Sequence, residues 1–306
     1  MYALCHTSSG LAVMIPMVTA AIGAESSKRD YARELRQFFS WYETMAFAYP
    51  DGFCRSTVMA YREAMQTAGR GPVSINKALC AIRALAREAG ANGYMPSDEA
   101  ARIEQVPQVE RRGSRLGTWL SLAELKTVLT SVPPTTPNRG MRDRAAMWLL
   151  GACGLRREEA AALRYRQLQM RDGRPVLVDV LGKGGKLRSI PVHRLAADSV
   201  AAWCLMAGIT DPDAYILPTI HNPDTITTMP ASGARLYDAC VRYCRELGMT
   251  FRPHDLRRTF ALLAEDGGAP LREISEALGH SSVTTTEIYL RAPRSMTRAA
   301  TDKIAL

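Results

Sequence analysis

Two arginines, a lysine, two histidines and a late tyrosine stand in this chain in an order that suits chemistry at phosphorus. The first arginine lies in Gly154-Leu155-Arg156-Arg157-Glu158-Glu159, and a glycine-punctuated lysine pair follows in Gly182-Lys183-Gly184-Gly185-Lys186. The last third carries His254-Asp255-Leu256-Arg257 and Leu278-Gly279-His280, with Tyr289 nine residues beyond the second histidine. No metal-ligand cluster accompanies them. The set is what a protein hydroxyl needs to attack a phosphodiester.

The chemistry assigns the parts. Non-bridging oxygens share a negative charge that repels nucleophiles, and a forked guanidinium spans two of them. Arg156 follows a Gly-Leu step where a helix begins, and Arg257 lies one helical turn after His254, so those two side chains share a face. A phenol with a pKa of ~10 is a poor nucleophile at neutral pH. Tyr289 therefore needs the field of the arginines or a proton acceptor, for which His254 is the candidate. The departing 5′ oxygen needs a proton in turn. Lys183 on a β-turn suits that role, Lys186 competes for it, and the chemistry alone does not separate them. His280 can bond the transferred phosphate, although a lone histidine reads equally as a capping or core residue. Glu159, three residues after Arg156, can orient an arginine or a histidine. The polar segment 281–286 forms a turn and returns the Tyr289 hydroxyl towards His280.

The chain must also supply elements to hold these groups. Its 306 residues, 47% hydrophobic, can bury a sizeable core and read as two domains. A net charge of +9 points to an anionic partner, nucleic acid ahead of membrane. Seven cysteines without a C-x-x-C pair read as reduced thiols in a cytoplasmic protein. The apolar stretch 11–22 is broken by Pro16 and is shorter than the ~20 residues of a membrane span, so 1–25 reads as an arm or packing segment.

Residues 26–106 read as a helical domain. Ser26 and Ser27 cap a helix bearing Tyr31, Leu35, Phe38, Phe39 and Tyr42, and a second helix covers 56–68. A third is capped by Ser74, carries Ile75, Leu79, Ile82 and Ala86, and ends at Gly90; a fourth covers 97–105. Lys77, Arg83 and Arg87 on the third helix are candidate DNA contacts, with a solvated face as the equal alternative. Residues 107–117, including Arg111, Arg112 and Arg115, lack an apolar period and read as a linker, either solvated or lying against phosphates. The second domain, 118–292, opens with the capping box Ser121–Glu124. A loop at 133–140 leads to helices over 141–151 and 155–163, and β runs over 175–180 and 187–192 flank the glycine turn. Helices follow over 193–207, 231–247, 253–265, 271–278 and 282–290, and 293–306 forms a tail.

Taken together, the boxes G-L-R-x-x-E, G-K-G-x-K-x-R, H-x-L-R and L-G-H, followed by a tyrosine at nine residues, resemble the tyrosine recombinases, the phage-type integrases and the Xer group. The resemblance covers 118–292; residues 26–106 fit it only generally, as a core-binding domain. It departs where family members often carry a histidine after the second arginine, here Arg258. It implies a mainly α fold with a small β-sheet, a helical core-binding domain and an α+β catalytic domain. Its catalytic residues fall on Arg156, Lys183, His254, Arg257, His280 and Tyr289, with Glu159 behind them and Lys186 and Arg188 as DNA contacts. It implies transesterification through a 3′-phosphotyrosyl link, without metal or cofactor, by a tetramer pairing two duplex sites through a Holliday junction. Tails such as 291–306 often dock on a neighbouring protomer in the family. A type IB topoisomerase shares the constellation, and a non-catalytic DNA-binding relative is a third reading, although a pure binder has no use for the tyrosine.

Overall fold

Buried side chains recur every three or four residues along much of the chain, and they decide which faces of its helices meet. The computed structural model describes residues 13–45, 48, 52–110, 118–132, 135–182, 184–222, 224–280 and 282–290. It divides into two units, Met1–Arg115 and Leu116–Leu306. Among the described residues no helix is long and apolar enough to cross a membrane.

The first unit is helical: α1 (Ile15–Ala20), α2 (Glu25–Met45), α3 (Arg55–Thr67), α4 (Pro72–Ala91) and α5 (Ser97–Glu104). Leu35, Phe38, Phe39 and Tyr42 of α2 bury one stripe against Ile75, Leu79, Ile82 and Leu85 of α4, each such side chain contributing about 1.5–3 kcal/mol. Phe38 sits edge-on to Tyr61 at 5.1 Å between ring centroids. Three expectations change here. Ser26 and Ser27 lie inside the first turn of α2, which starts at Glu25. Pro72 occupies the start of α4 and Gly71 its N-cap, so Ser74 is internal. Gly90 does not end α4. It is where α5 packs, since a Cβ there would lie 2.9 Å from the Ala100 Cβ. Met14 and Val18, in the segment read as an arm or packing segment, are buried in this core. Asn76 exchanges two hydrogen bonds with the Val109 backbone, at 2.8 and 2.9 Å, which ties the start of the expected linker to α4.

The second unit packs helices around α7 (Pro137–Gly151), flanked by α6 (Leu122–Thr130), α8 (Arg157–Ala162), α9 (Arg194–Met206), α10 (Gly233–Leu247) and α11 (Pro253–Asp266). Ser121 and Glu124 form the expected capping box on α6. Helix α7 begins earlier than its sequence suggests. Asp224, far away in the chain, accepts from the Asn138 and Arg139 backbone N–H groups at 3.0 and 3.3 Å, supplying a cap that no local pattern shows. Strands β1 (Leu168–Arg171), β2 (Arg174–Leu181) and β3 (Leu187–Pro191) make an antiparallel sheet in that order, and β4 (Pro218–His221) pairs with β5 (Thr225–Pro230). Strands β1, β4 and β5 were not expected. The β1–β2 turn, Asp172-Gly173, carries positive φ at both residues, the Asp-Gly hairpin signal that was there to be read. Helices α12 (Leu271–Leu278) and α13 (Val283–Leu290) pack against α11 and against each other.

Candidate active site

The turn from α7 into α8 aims the first arginine. Gly154 has a φ of +62°, and a Cβ there would stand 2.6 Å from Phe260 Cδ1, so only glycine lets the chain pass so close to α11. Arg156 then occupies the N-cap of α8. Its backbone N–H donates to Glu159 Oε2 at 2.9 Å, and its Nη1 donates to Glu159 Oε1 at 2.7 Å.

Glu159 is the negative hub of the site. Its side chain is 4% exposed and also accepts two bonds from Arg188, Nη1 at 3.1 Å and Nη2 at 2.7 Å, while Arg257 Nη1 approaches to 4.0 Å. Burial pushes this carboxyl up, but bonds from Arg188 and from the Arg156 backbone and side chain outweigh it and hold the group below the usual carboxylate range. Arg188, read from sequence as a DNA contact, is thus drawn inward from β3.

The same three guanidiniums cap the C-terminus of α12, whose last carbonyls have no helical donors. Arg188 Nε donates to Ala277 O at 3.0 Å, Arg156 Nη1 to Leu278 O at 3.3 Å, and Arg257 Nη2 to that same Leu278 O. Arg257 is 1% exposed and also bonds Gly154 O at 2.6 Å. Gly279 ends α12 with a φ of +61°, and a Cβ on it would lie 2.8 Å from Arg188 Nη1. Glycines 154 and 279 let these guanidiniums close up.

His280 follows that turn, and its Nδ1 meets Thr286 Oγ1 of α13 at 2.8 Å. Thr286 is buried, so His280 is anchored to the helix that carries Tyr289. Burial, then the charges of Arg257, Arg156 and Arg188, push His280 down to about 4. His254, in the first turn of α11, keeps part of its ring exposed, yet partial desolvation and then the charge of Arg257 lower it. Both histidines are therefore neutral near pH 7 and able to accept a proton.

Arg156, His254 and Arg257 line a cleft of about 360 Å³ with Arg157, Glu158, Tyr237 and Arg252. The structure brings together Arg156, Glu159, Arg188, His254, Arg257 and His280. Tyr289 lies in the last turn of α13, and its side chain is outside the described part. Lys183, Arg111, Arg112 and Arg115 lie outside the described residues; Gly182 beside Lys183 sits against Arg188 and Glu159. Lys186 is exposed. Of the first-unit cations, Lys77 pairs with Asp30 at 2.7 Å, Arg87 with Glu104 at 2.9 Å, and Arg83 donates to Val106 O at 2.5 Å. Each thus has an internal partner. Sequence reading missed Arg252 and Tyr237, which belong to no box, although the helix-starting Pro253 just before His254 marks Arg252 as its N-cap.

The sequence profile of the phage integrase family matches residues 119–295. Among similar proteins are the tyrosine recombinase XerD of Lacticaseibacillus casei, 28% identical over 87% of each chain, and a tyrosine recombinase XerC of Pseudomonas putida, 32% identical over 72% of this chain and 70% of that one. The fold resembles that of XerH site-specific recombinase bound to palindromic difH substrate, with a TM-score of 0.71 at 20% identity over 94% of this chain and 81% of that one. It also resembles a lambda integrase dimer bound to a core site, with a TM-score of 0.65 at 16% identity over 92% and 76%. Both likenesses concern a helical first unit followed by a mainly helical second unit with small antiparallel sheets. With the profile covering more than half of its length, this chain belongs to the phage integrase family and is a tyrosine-type site-specific DNA recombinase.

Proposed function

We propose that the chain cuts and rejoins duplex DNA at a specific site by transesterification at the cleft formed by Arg156, His254 and Arg257. The observation that carries this reading is the meeting of the Arg156 and Arg257 guanidiniums at one carbonyl oxygen, Leu278 O. Two forked cations held that close are preorganised for a pentacoordinate phosphorus, whose charge exceeds that of the ground state. Tyr289 Oη forms a bond to phosphorus as the bond from phosphorus to the 5′ oxygen breaks, leaving a 3′-phosphotyrosyl link. The phenolic proton passes to His254, and the 5′ oxygen takes one from Lys183, with Lys186 the competitor for that step. His280, held against Thr286, bonds a non-bridging oxygen. A 5′ hydroxyl of the partner strand then attacks the phosphotyrosine and releases the tyrosine. The bond energy stays in the covalent intermediate, so this route asks for no cofactor.

XerH was captured on its difH substrate in a post-cleavage complex, and lambda integrase as a dimer on its core site. Both support duplex DNA as the partner here. On this reading four protomers pair two sites and exchange strands through a Holliday junction, in the cytoplasm. Deleting residues 295–306 is then expected to weaken synapsis and leave single-site binding intact; unchanged synapsis removes a role for the tail.

The test is covalent capture. Wild type and Tyr289→Phe are incubated in EDTA with supercoiled genomic fragments and nicked suicide duplexes, then run on a denaturing gel. A tyrosine-dependent adduct is expected, and its position maps the site. Binding without adduct from wild type, or an adduct that persists in Tyr289→Phe, overturns the assignment.

A further inference from the structure

We infer that the outer end of the catalytic cleft is a second phosphate subsite, in which Arg252 and Tyr237, backed by Arg157, hold the phosphodiester adjacent to the scissile one. The inference rests on the reading of the cleft as the cleavage site and adds to it residues that no part of that chemistry uses. The cleft is lined by four guanidiniums, Arg156, Arg157, Arg252 and Arg257, and by one carboxylate, Glu158. Glu158 is already engaged by Arg157 at 2.6 Å. Arg156 and Arg257 are fixed against Glu159 and the α12 carbonyls, where the scissile phosphate would sit. Arg252 is exposed and makes no ion pair among the described residues.

The surroundings of Arg252 favour a side-chain site over a helix-end site. Arg252 is the N-cap of α11, but its own N–H is taken by Asp255 Oδ2 at 2.9 Å and Pro253 has no N–H to offer. That helix terminus is therefore answered from within, and it is as an exposed lining residue that Arg252 meets the cleft. Across from it, Gly233 starts α10 with so little bulk that the Arg157 stem packs on it, a Cβ there lying 3.4 Å from Arg157 Cγ. Tyr237, one turn along α10, is half-buried and turns into the same cleft. A guanidinium and a phenol hydroxyl beside a fixed cation pair match a chain of phosphates better than a single one. A polynucleotide presents such a chain at regular spacing. Holding a neighbouring phosphate adds binding energy away from the reacting atoms and fixes the strand so that the phosphorus is in line for attack.

The experiment uses duplexes of the mapped site carrying one neutral methylphosphonate immediately 5′ or 3′ of the scissile position, with wild type, Arg252→Gln and Tyr237→Phe. On all-phosphate DNA, Arg252→Gln is expected to form adduct about tenfold more slowly, the scale of one charge-assisted contact at an exposed site. Its salt slope for binding should fall by about 0.9, one phosphate's worth. For wild type, one of the two methylphosphonates should cost a similar factor. Combined with Arg252→Gln, that same methylphosphonate should cost nothing further, because the contact is already gone. Tyr237→Phe should show a smaller loss with the same dependence. A wild-type rate in Arg252→Gln, or losses that multiply at both flanking positions, overturns the subsite. Should wild type form no Tyr289-dependent adduct on unmodified DNA, it is the nucleophile assignment that fails. The subsite is then judged on equilibrium binding of the same duplexes, where the same non-additivity is expected.

Discussion

Removing Arg188 tests whether the buried cluster at Glu159 is what aligns the site. Glu159, with a side chain 4% exposed, accepts from Arg156 twice and from Arg188 twice, and Arg188 itself is only 11% exposed. Breaking a buried ion pair by removing one partner costs about 3–5 kcal/mol, because the other charge stays buried. In Arg188→Met the Arg156 bonds remain, which places the loss at the lower end, about 3 kcal/mol. The Ala277 carbonyl also loses its donor. In Glu159→Gln three guanidiniums face one another without a counter-charge, and a similar loss is expected. The double variant should recover about 2 kcal/mol relative to the sum, since no carboxylate is left without Arg188 and only two of the three guanidiniums remain to repel each other. Urea unfolding followed by a probe in the second unit measures this, with the first unit as internal control. Arg188→Lys keeps the charge but not the fork, and should restore part of the stability while leaving adduct formation slow. The pH sign follows from the depressed Glu159. Its contribution is present above the unfolded value of ~4.3 and is lost as pH falls through the lower folded value, so the gap between wild type and Arg188→Met should close in acid. A loss below about 1 kcal/mol in Arg188→Met with an unchanged cleavage rate would show that the cluster is an ordinary surface bridge and refute the reasoning.

Three further outcomes are expected. Gly154→Ala combines a left-handed backbone with a Cβ 2.6 Å from Phe260, and should destabilise the second unit by about 2–5 kcal/mol in urea; a loss under about 1 kcal/mol would mean the turn readily shifts. Gly279→Ala, with its Cβ 2.8 Å from Arg188 Nη1, should slow adduct formation more than it lowers stability, because a guanidinium can move at the expense of alignment. His280, pushed down to about 4, should remain neutral at pH 6 by NMR of labelled histidine in the free protein and titrate higher when a phosphodiester binds. Its folded value lies below the unfolded ~6.5, so the unfolded chain binds more protons between the two. Stability should therefore decline as pH falls through that window, and His280→Asn should flatten the decline.

The boxes whose residues the cleft and the Glu159 cluster gather were legible because each is local, its members no more than about one helical turn apart. Their roles in packing were not legible, because these depend on partners far along the chain. Arg188 looks like any strand arginine until Glu159 and the α12 carbonyls are placed beside it. The pairing of Lys77 with Asp30 and of Arg87 with Glu104 across helices was equally invisible in the sequence. The start of α7 is hidden for the same reason, its cap being Asp224. Gly90 reads as a stop because glycine often is one, while here it admits Ala100.

These long-range contacts also explain how so much positive charge is kept together before DNA arrives. Three guanidiniums converge on one carboxylate and on the carbonyl end of α12, so a full and a partial negative charge hold what would otherwise repel. That compensation is incomplete: after burial, which is the larger cause, the charges of Arg257 and Arg156 still lower both His254 and His280. The remaining field is what a phosphodiester would meet, and its negative charge would raise both histidines. Binding and proton affinity are thereby coupled on the proposed mechanism. The imidazoles are bases in the free enzyme and become better able to hold the Tyr289 proton once the phosphodiester that the phenol attacks is in place. A catalytic unit whose histidines titrate alike with and without bound phosphodiester would not have this coupling, however well its guanidiniums are aligned.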